Sequence, residues 1–487
     1  MKDIIFSLAL ANIVYMEIWK RFFYMGKFDV RHMPTSNSYL ALIVGEILIA
    51  LAFWGGIQLI RKLNNKVILR VSKFVYCFVM LYFLWYLLFP LTAYVSLGLY
   101  KFLFLLAIVL LIYYHKMTDT LVKIVMISFP FIIIIFSQAV MGIVNEWGKD
   151  HAIHTATPFV VREETPRVLW LIFDETDQKI AFAKRPPNLK LPALDRFRQE
   201  VFQAENAYPP GGNTVKTMPS IIDGKIVTHY KQFDDRLEIF YEGSKVPVIW
   251  GSKPNLFSKA KALMINSAVF GFLPYGKAIQ KDVMFCGWCA GTYDYGSPNN
   301  TLLSNLGSQL YGILKFNNIG YTQRLRAYWE TYNAAQHLIV DPRYRLVLIH
   351  FNIPHLPTIG HYRWKDKDHS SKDYEENLLV MDQTFAKLRE LMERKGFWDN
   401  TTIIVSSDHW LRKKKYVYDH QLDHRVPFIL KLAGHKESIA YEPAFNTIIT
   451  HDLILALLKK EVVTEKDLLK WMEEHRSKYP INTRQTQ

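Results

Sequence analysis

The sequence predicts an N-terminal α-helical transmembrane bundle of about five spans, followed by an α/β/α domain on a mostly parallel sheet. Three observations lead there. Apolar runs of membrane-crossing length crowd the first 144 residues, short apolar runs alternate with amphipathic stretches after residue 165, and those short runs end on carboxylates and histidines. The chain has 487 residues, 50% of them hydrophobic and 14% aromatic. These figures exclude intrinsic disorder, and the long apolar runs exclude a wholly soluble protein. The formal net charge of +15 comes without dense Lys/Arg runs or a groove-reading motif. It therefore points away from nucleic acid and toward anionic lipid surfaces or phosphate-bearing substrates. The expected organisation is a transmembrane domain over 1–144, a linker over 145–164, the α/β domain over 165–460 and a C-terminal tail over 461–487.

A bilayer core needs roughly 20 apolar residues per helix, and five segments qualify: about 4–24, 38–60, 75–97, 99–115 and 122–144. The first lacks the short apolar core and small-residue cleavage site of a signal peptide, and so reads as an anchor. With the N-terminus inside, the inner segments carry Lys2, Arg61, Lys62, Lys66, Arg70, Lys73, Lys116 and Lys123. The outer ones carry Lys20, Arg21, Lys27, Arg31 and Lys101. That bias follows the positive-inside rule and predicts a multi-pass inner-membrane protein with its α/β domain on the periplasmic or extracellular face. Asn12 and Glu46 fall within spans, where a polar group serves either an interhelical hydrogen bond or a headgroup or ion contact. Of the three cysteines, Cys77 lies in a span, while Cys286 and Cys289 form Cys-Gly-Trp-Cys and suggest a local disulfide in an oxidising compartment.

In the α/β part, Arg167–Phe173 is a strand-length apolar run that stops at Asp174-Glu175. Arg345–Phe351 is followed by His355, Thr401–Ser407 runs into Asp408-His409, and Val426–Leu432 is preceded by His420 and His424. Near-continuous apolar runs of this length are buried strands of a parallel sheet, whose ligands bind beyond the carboxyl ends. A helix over about 373–396, with Leu378, Leu379, Phe385, Leu388 and Leu391 at helical spacing, covers the sheet. Asp174, Glu175, His355, Asp408, His409 and His424 together offer oxygen and imidazole donors suited to a divalent cation such as Zn²⁺ or Mn²⁺. The segment Gly211-Gly212-Asn213-Thr214 permits a sharp turn that opens a helix, and a threonine hydroxyl beside a divalent cation becomes a usable nucleophile.

The elements LWLIFDET, NTVKTMPSIIDGK, HFNIPHLP, the block from Asn377 to Trp410 and DHRVPFIL occur in the order seen in the sulfatase-like branch of the alkaline phosphatase superfamily. The resemblance covers about 165–460. With its N-terminal spans, the chain resembles the membrane-bound phosphoethanolamine transferases and lipoteichoic acid synthases. Those metal-dependent enzymes move a phospholipid headgroup through a phosphothreonine intermediate. The resemblance implies Glu175, Thr214, Asp408 and His409 as the principal metal shell, with Asp174 matching the first acid of the sulfatase pair. His355 and His424 match histidines that bind a second metal or the transferred group and act as general acid and base. The nucleophile maps onto Thr214 in the transferase register and onto Thr217 in the sulfatase register, and Thr214 is preferred. A threonine cannot become formylglycine, and Ile221 stands where a sulfatase arginine is expected, so orthodox sulfatase chemistry is disfavoured. The implied cofactor is Zn or Mn, with Ca or Mg as alternatives, as one ion or two. The implied partners are a membrane phospholipid donor and a glycan, lipid or other hydroxyl acceptor. The competing functions are a hydrolase of sulfate or phosphate esters and a non-catalytic membrane regulator of the same fold.

Overall fold

The structure, a computed structural model, describes residues 2–23, 35–63, 129–147 and, with short breaks, 154–481, together with isolated positions between 68 and 106. These fall into two compact units.

The first unit contains helices Lys2–Phe23, Ser36–Lys62, Phe129–Glu146 and Leu302–Leu314. Its core joins Tyr15, Ile18, Trp19, Tyr39 and Leu42 to Ala139 and Ile313. Gly142 lets the Tyr39 ring approach, since a Cβ there would lie 2.6 Å from it. Glu46 is fully buried and accepts a 2.8 Å hydrogen bond from Trp19 Nε1, so it serves as an interhelical acceptor, while Asn12 is buried in the first helix. Among the described residues, only Ser36–Lys62 is long and apolar enough to cross a membrane. The first expected span is a helix over Lys2–Phe23, and the described part of the fifth is helical over Phe129–Glu146. The third and fourth, with Cys77, lie almost entirely outside the described residues. Leu302–Leu314 belongs to this unit although it falls in the middle of the segment assigned to the α/β domain.

The second unit is built on strands β1 (His154–Thr155), β2 (Val168–Phe173), β3 (Phe202–Tyr208), β4 (Val227–Phe233), β5 (Arg236–Tyr241), β6 (Val248–Ile249), β7 (Ser267–Gly271), β8 (Phe285–Trp288), β9 (Leu346–Phe351), β10 (Thr402–Ser406), β11 (Val426–Lys431), β12 (Ile439–Tyr441) and β13 (Phe445–Asn446). The main sheet runs β1-β8-β7-β9-β2-β10-β11-β3-β12, with β13 also on β3, and β4-β5-β6 form a separate small sheet. Within the main sheet β8, β7, β9, β2, β10, β3, β12 and β13 are mutually parallel, while β1 and β11 run against them. The four strands expected from the sequence are present within a residue of their predicted ends.

Alternation along the buried strands fills two apolar layers. Val168, Trp170 and Ile172 face helices Thr214–Asp223, Leu256–Ala262, Thr450–Leu458 and Glu465–His475. Leu169, Leu171 and Phe173 face Pro192–Arg198, Ile319–Leu338 and Ser371–Arg394, the last through Leu378, Phe385 and Leu388. Burying each such side chain contributes roughly 1.5–3 kcal/mol. The stretch set apart as a C-terminal tail carries helix Glu465–His475, opened by a Thr464–Asp467 capping box, and its Leu468 and Met472 are fully buried.

The Cys286–Cys289 disulfide expectation is corrected: the two cysteines are buried and form no disulfide with each other. Three residues apart, with Cys286 in β8 and Cys289 one residue past its end, they point to opposite faces of the sheet. Cys286 joins one apolar layer and Cys289 the other, where the Cys289 sulfur contacts Thr331 Oγ1 at 3.0 Å.

Candidate active site

The site assembles at the carboxyl edge of the parallel strands. β2 ends at Phe173 and delivers Asp174-Glu175, β10 ends at Ser406 and delivers Asp408-His409, and β9 leads to His355. Because β11 is antiparallel, its beginning lies at this same edge, which brings in His424 two residues before Val426. β3 leads through Gly211-Gly212 to the helix Thr214–Asp223. The Asn213 side chain caps that helix by accepting from Lys216 N–H at 3.0 Å. Gly212 passes the Trp410 ring so closely that a Cβ would sit 3.0 Å from it.

Asp174, Asp408 and His409 form the central group, with one ligand atom from each lying within 4.8 Å of the others. All three are buried. His409 Nε2 lies 3.4 Å from Asp174 Oδ1 and 3.5 Å from Asp408 Oδ2. His409 Nδ1 donates to the Trp410 carbonyl at 2.9 Å, which leaves Nε2 as the ring nitrogen facing the carboxylates, the atom that would coordinate a metal. Asp408 Oδ1 accepts from the Glu175 and His409 backbone N–H groups at 3.1 and 2.9 Å. Both oxygens of Asp174 and Oδ2 of Asp408 are buried without a hydrogen-bond partner. Buried carboxylate oxygens left this way are costly unless a cation satisfies them, so the residues present fit a divalent metal. Burial, then Asp408 and Glu175, push the Asp174 carboxyl well above its ordinary range. Burial also raises Asp408, but the neighbouring His409 and His350 outweigh it and hold that carboxyl low.

Thr214 Oγ1 lies 3.4 Å from His409 Nε2. Thr217 is fully buried and its hydroxyl donates to the Gly211 carbonyl at 2.8 Å, holding the turn. The structure thus separates the two threonines: one faces the carboxylate and histidine group, and the other braces the loop that presents it.

Glu175 and His355 are not part of the central group but pair beside it, with Nε2 of His355 3.5 Å from Glu175 Oε2. Glu175 adopts a left-handed backbone with φ 64°, strain of a kind that gathers at functional sites. Tyr374 stabilises that bend by donating to the Glu175 carbonyl at 2.8 Å. Desolvation, then the Arg324 guanidinium and His409, hold His355 well below its ordinary value, so its imidazole is neutral. His424 packs its ring 4.5 Å from Trp410, and partial burial lowers it. His420 lies outside the described residues.

Two arginines escaped the sequence reading. Arg412 Nε lies 3.2 Å from Glu175 Oε1, and its Nη2 lies 3.2 Å from His355 Nε2. Arg324 Nη2 lies 2.7 Å from His355 Nδ1, and its Nη1 donates to the Asn352 carbonyl at 3.1 Å. Arg412 stands three residues after His409 and was legible by proximity to the motif, whereas Arg324 lies in a helix without any motif. His350, buried within β9, was visible as a polar residue inside an apolar strand, and Tyr275 Oη lies 2.6 Å from its Nδ1.

Similar solved structures include a protein of the alkaline phosphatase superfamily from Vibrio parahaemolyticus, at 14% identity and TM-score 0.41, covering 62% of this chain and 68% of that one. They also include a phosphonate monoester hydrolase from Silicibacter pomeroyi, at 14% identity and TM-score 0.39, covering 60% and 73%. A third is the PsFucS1 sulfatase from Pseudoalteromonas sp., at 13% identity and TM-score 0.42, covering 62% and 69%. No curated protein matches the chain. The sulfatase family model matches residues 166–459, from two residues before β2 opens to one residue beyond the Thr450–Leu458 helix. With that match enclosing every strand-end residue described above, the chain belongs to the sulfatase family and is a metal-dependent enzyme acting on sulfate or phosphate esters.

Proposed function

We propose that the chain is a membrane-anchored phosphotransferase that moves a phospholipid-derived headgroup, phosphoethanolamine-like or phosphoglycerol-like, through a covalent intermediate on Thr214. The observation that carries this reading is the position of the Thr214 hydroxyl, 3.4 Å from His409 Nε2 at the start of a helix, while Thr217 is committed to the loop. A helix N-terminus favours the anionic group to be transferred. Asp174, Asp408 and His409, with Glu175 and Thr214 adjoining, would hold a divalent ion, Zn or Mn by their chemistry. When bound, that ion supplies positive charge to the transferring group and lowers the pKa of a neighbouring hydroxyl.

In the first half-reaction, Thr214 Oγ forms a bond to phosphorus and the bond from phosphorus to the diacylglycerol oxygen breaks. The threonine proton leaves and a proton is returned to the departing oxygen. In the second, an acceptor hydroxyl on a glycan or lipid forms the new ester bond and Thr214 recovers its proton. His355 and His424, both neutral near pH 7, serve these oxygens as general base and acid. The helix Ser36–Lys62 supports membrane anchoring, and the charge bias of the N-terminal segments supports an outer-face catalytic part. Membership of the sulfatase family favours a second reading, in which water takes the acceptor's place and a sulfate or phosphate ester is hydrolysed.

The test is mass spectrometry of the Thr214 peptide after metal-loaded protein is incubated with native membrane lipids and quenched in acid. A phosphorus-bearing adduct on Thr214, absent in Thr214→Ala and present in Thr217→Ala, is expected, and its mass identifies the headgroup. An unmodified peptide together with acceptor-independent turnover in detergent would replace the transferase with the hydrolase.

A further inference from the structure

We propose that Trp410 is a positioning residue for the reaction: its indole holds the turn that presents Thr214, and the imidazole of His424, in register with the loop that carries Asp408 and His409. The Thr214 hydroxyl and His409 Nε2 come within 3.4 Å although 195 positions separate them in the chain. The bonds that shape the Thr214 turn are internal to it. Thr217 Oγ1 donates to the Gly211 carbonyl at 2.8 Å, and Lys216 N–H donates to the Asn213 side chain at 3.0 Å. They fix the form of the turn but not its distance from the loop after β10. That distance is set where Gly212 meets the Trp410 ring, since a Cβ added to Gly212 would lie 3.0 and 3.2 Å from two of its ring carbons. A methyl group fits there only if the ring or the turn gives way by a few tenths of an ångström.

The indole is itself held from two sides. Its backbone follows His409 directly, and the Trp410 carbonyl accepts from His409 Nδ1 at 2.9 Å. The same loop is braced to the one that bears Asp174, because Ser407 Oγ accepts from Thr176 N–H at 2.8 Å and donates to the His409 carbonyl at 2.9 Å. The ring is buried in the apolar layer that also contains Met218, Ile221 and Val426. Its remaining neighbour is His424, whose ring centroid lies 4.5 Å away at an interplanar angle of 47°. Trp410 thus meets the nucleophile's turn through its ring edge, His424 through ring packing and His409 through its carbonyl. A change in the tilt of the indole moves Thr214 and His424 together relative to Asp408 and His409. Reactive geometry is steep in position, and a displacement of about 1 Å costs on the order of 100-fold in rate. The inference rests on the reading of Thr214 as nucleophile and of His424 as a group serving the leaving and entering oxygens, and it holds whether the acceptor is water or another hydroxyl.

The experiment is a rescue. The full chain in detergent, loaded with Zn²⁺, is assayed for turnover of bis(p-nitrophenyl) phosphate, for modification of Thr214 by native membrane lipids, and for bound Zn²⁺ by inductively coupled plasma mass spectrometry. Gly212→Ala is expected to lower kcat by about 10–100-fold with KM near the wild-type value, because the added methyl pushes the turn away from the ring. Trp410→Phe removes the ring edge that this methyl meets. The Gly212→Ala, Trp410→Phe double variant should therefore regain about 10-fold in kcat over Gly212→Ala alone, the coupling expected of residues in contact. Trp410→Ala should lower kcat by about 100-fold, and the phenylalanine variants carry the test if it fails to fold. Bound Zn²⁺ should match the wild type throughout, since the carbonyl that accepts from His409 belongs to the backbone. A residue that only fills the core would lower Tm in Trp410→Phe and leave Gly212→Ala unimproved. A double variant no faster than Gly212→Ala, or wild-type kcat in Gly212→Ala or in folded Trp410→Ala, would overturn the proposal. Turnover by a wild type that forms no adduct on Thr214 would instead overturn the nucleophile assignment.

Discussion

Replacing Asp174 with asparagine should stabilise the metal-free protein and remove most of its response to metal. Its carboxylate shares a buried site with Asp408, with the ligand atoms of the group within 4.8 Å of one another, and neither of its oxygens has a hydrogen-bond partner. Two unit charges at that separation repel by about 3 kcal/mol at an effective dielectric constant near 20. Part of this is already relieved, because burial and the adjacent carboxylates push Asp174 well above its ordinary value and favour its protonated form. The expected gain for Asp174→Asn in chelator is therefore about 1–3 kcal/mol, which for a domain of this size amounts to several degrees in Tm. In Zn²⁺ the order reverses. An ion at a hundred times its Kd stabilises the wild type by about 2.7 kcal/mol, while the variant has lost one of three central ligands. The assay is denaturation of both proteins followed by tryptophan fluorescence, in EDTA and in saturating Zn²⁺. A variant less stable than wild type in EDTA, or one with an equal Zn²⁺-dependent shift, would refute the reasoning.

Burial, followed by the neighbouring Lys259, lowers the His451 pKa to about 4, so between that value and the ordinary 6.5 the unfolded chain binds more protons. Its contribution is complete above pH 6.5 and is lost as pH falls toward 4, by about 3 kcal/mol in all. His451→Gln should flatten that slope in chemical denaturation at pH 4.5 and 7, and an unchanged slope would contradict the assignment. Lys431 is buried with its ammonium donating to the carbonyls of Trp398, Asp399, Thr401 and Leu432. Lys431→Met should cost about 3 kcal/mol, measured as a lowered denaturation midpoint with unchanged Zn²⁺ stoichiometry. Cys286 and Cys289 should alkylate only after unfolding, and a reducing agent should leave Tm unchanged; a Tm that falls in reductant would restore the disulfide.

The sheet was legible because its central strands are buried on both faces, and such strands are written as unbroken apolar runs whose ends are marked by the first charged residue. Val168–Phe173 followed by Asp174 is the plainest case. The same runs exposed most of the site, since Asp174, Asp408 and His409 each follow a strand within three residues. His424 also reaches the edge, but it packs on Trp410, a contact that depends on the antiparallel course of β11 and has no counterpart in local pattern. Arg324 and Arg412 were missed for a related reason: an arginine is ordinary on any surface, and only the tertiary arrangement reveals that two of them flank one imidazole. The cysteine pair misled because its spacing suits a turn, while Phe285–Trp288 is a strand and alternation separates the two thiols. Membrane-crossing length could be counted from apolar runs, and among the described residues one helix satisfies it.

The contacts that define the site span most of the domain's sequence. Thr214 and His409 are separated by 195 positions, and the Glu175 N–H reaches Asp408 across 233. Closure of such distant segments is slow, because long loops must be ordered before any contact rewards them. Neither half of the domain, cut between β9 and β10, would contain the three central ligands, so a nascent or nicked chain has no site with which to scavenge metal. Ion binding then stabilises only the finished sheet, and metal uptake during refolding becomes a clock for the last step of assembly, starting only when β2 and β10 have come into register.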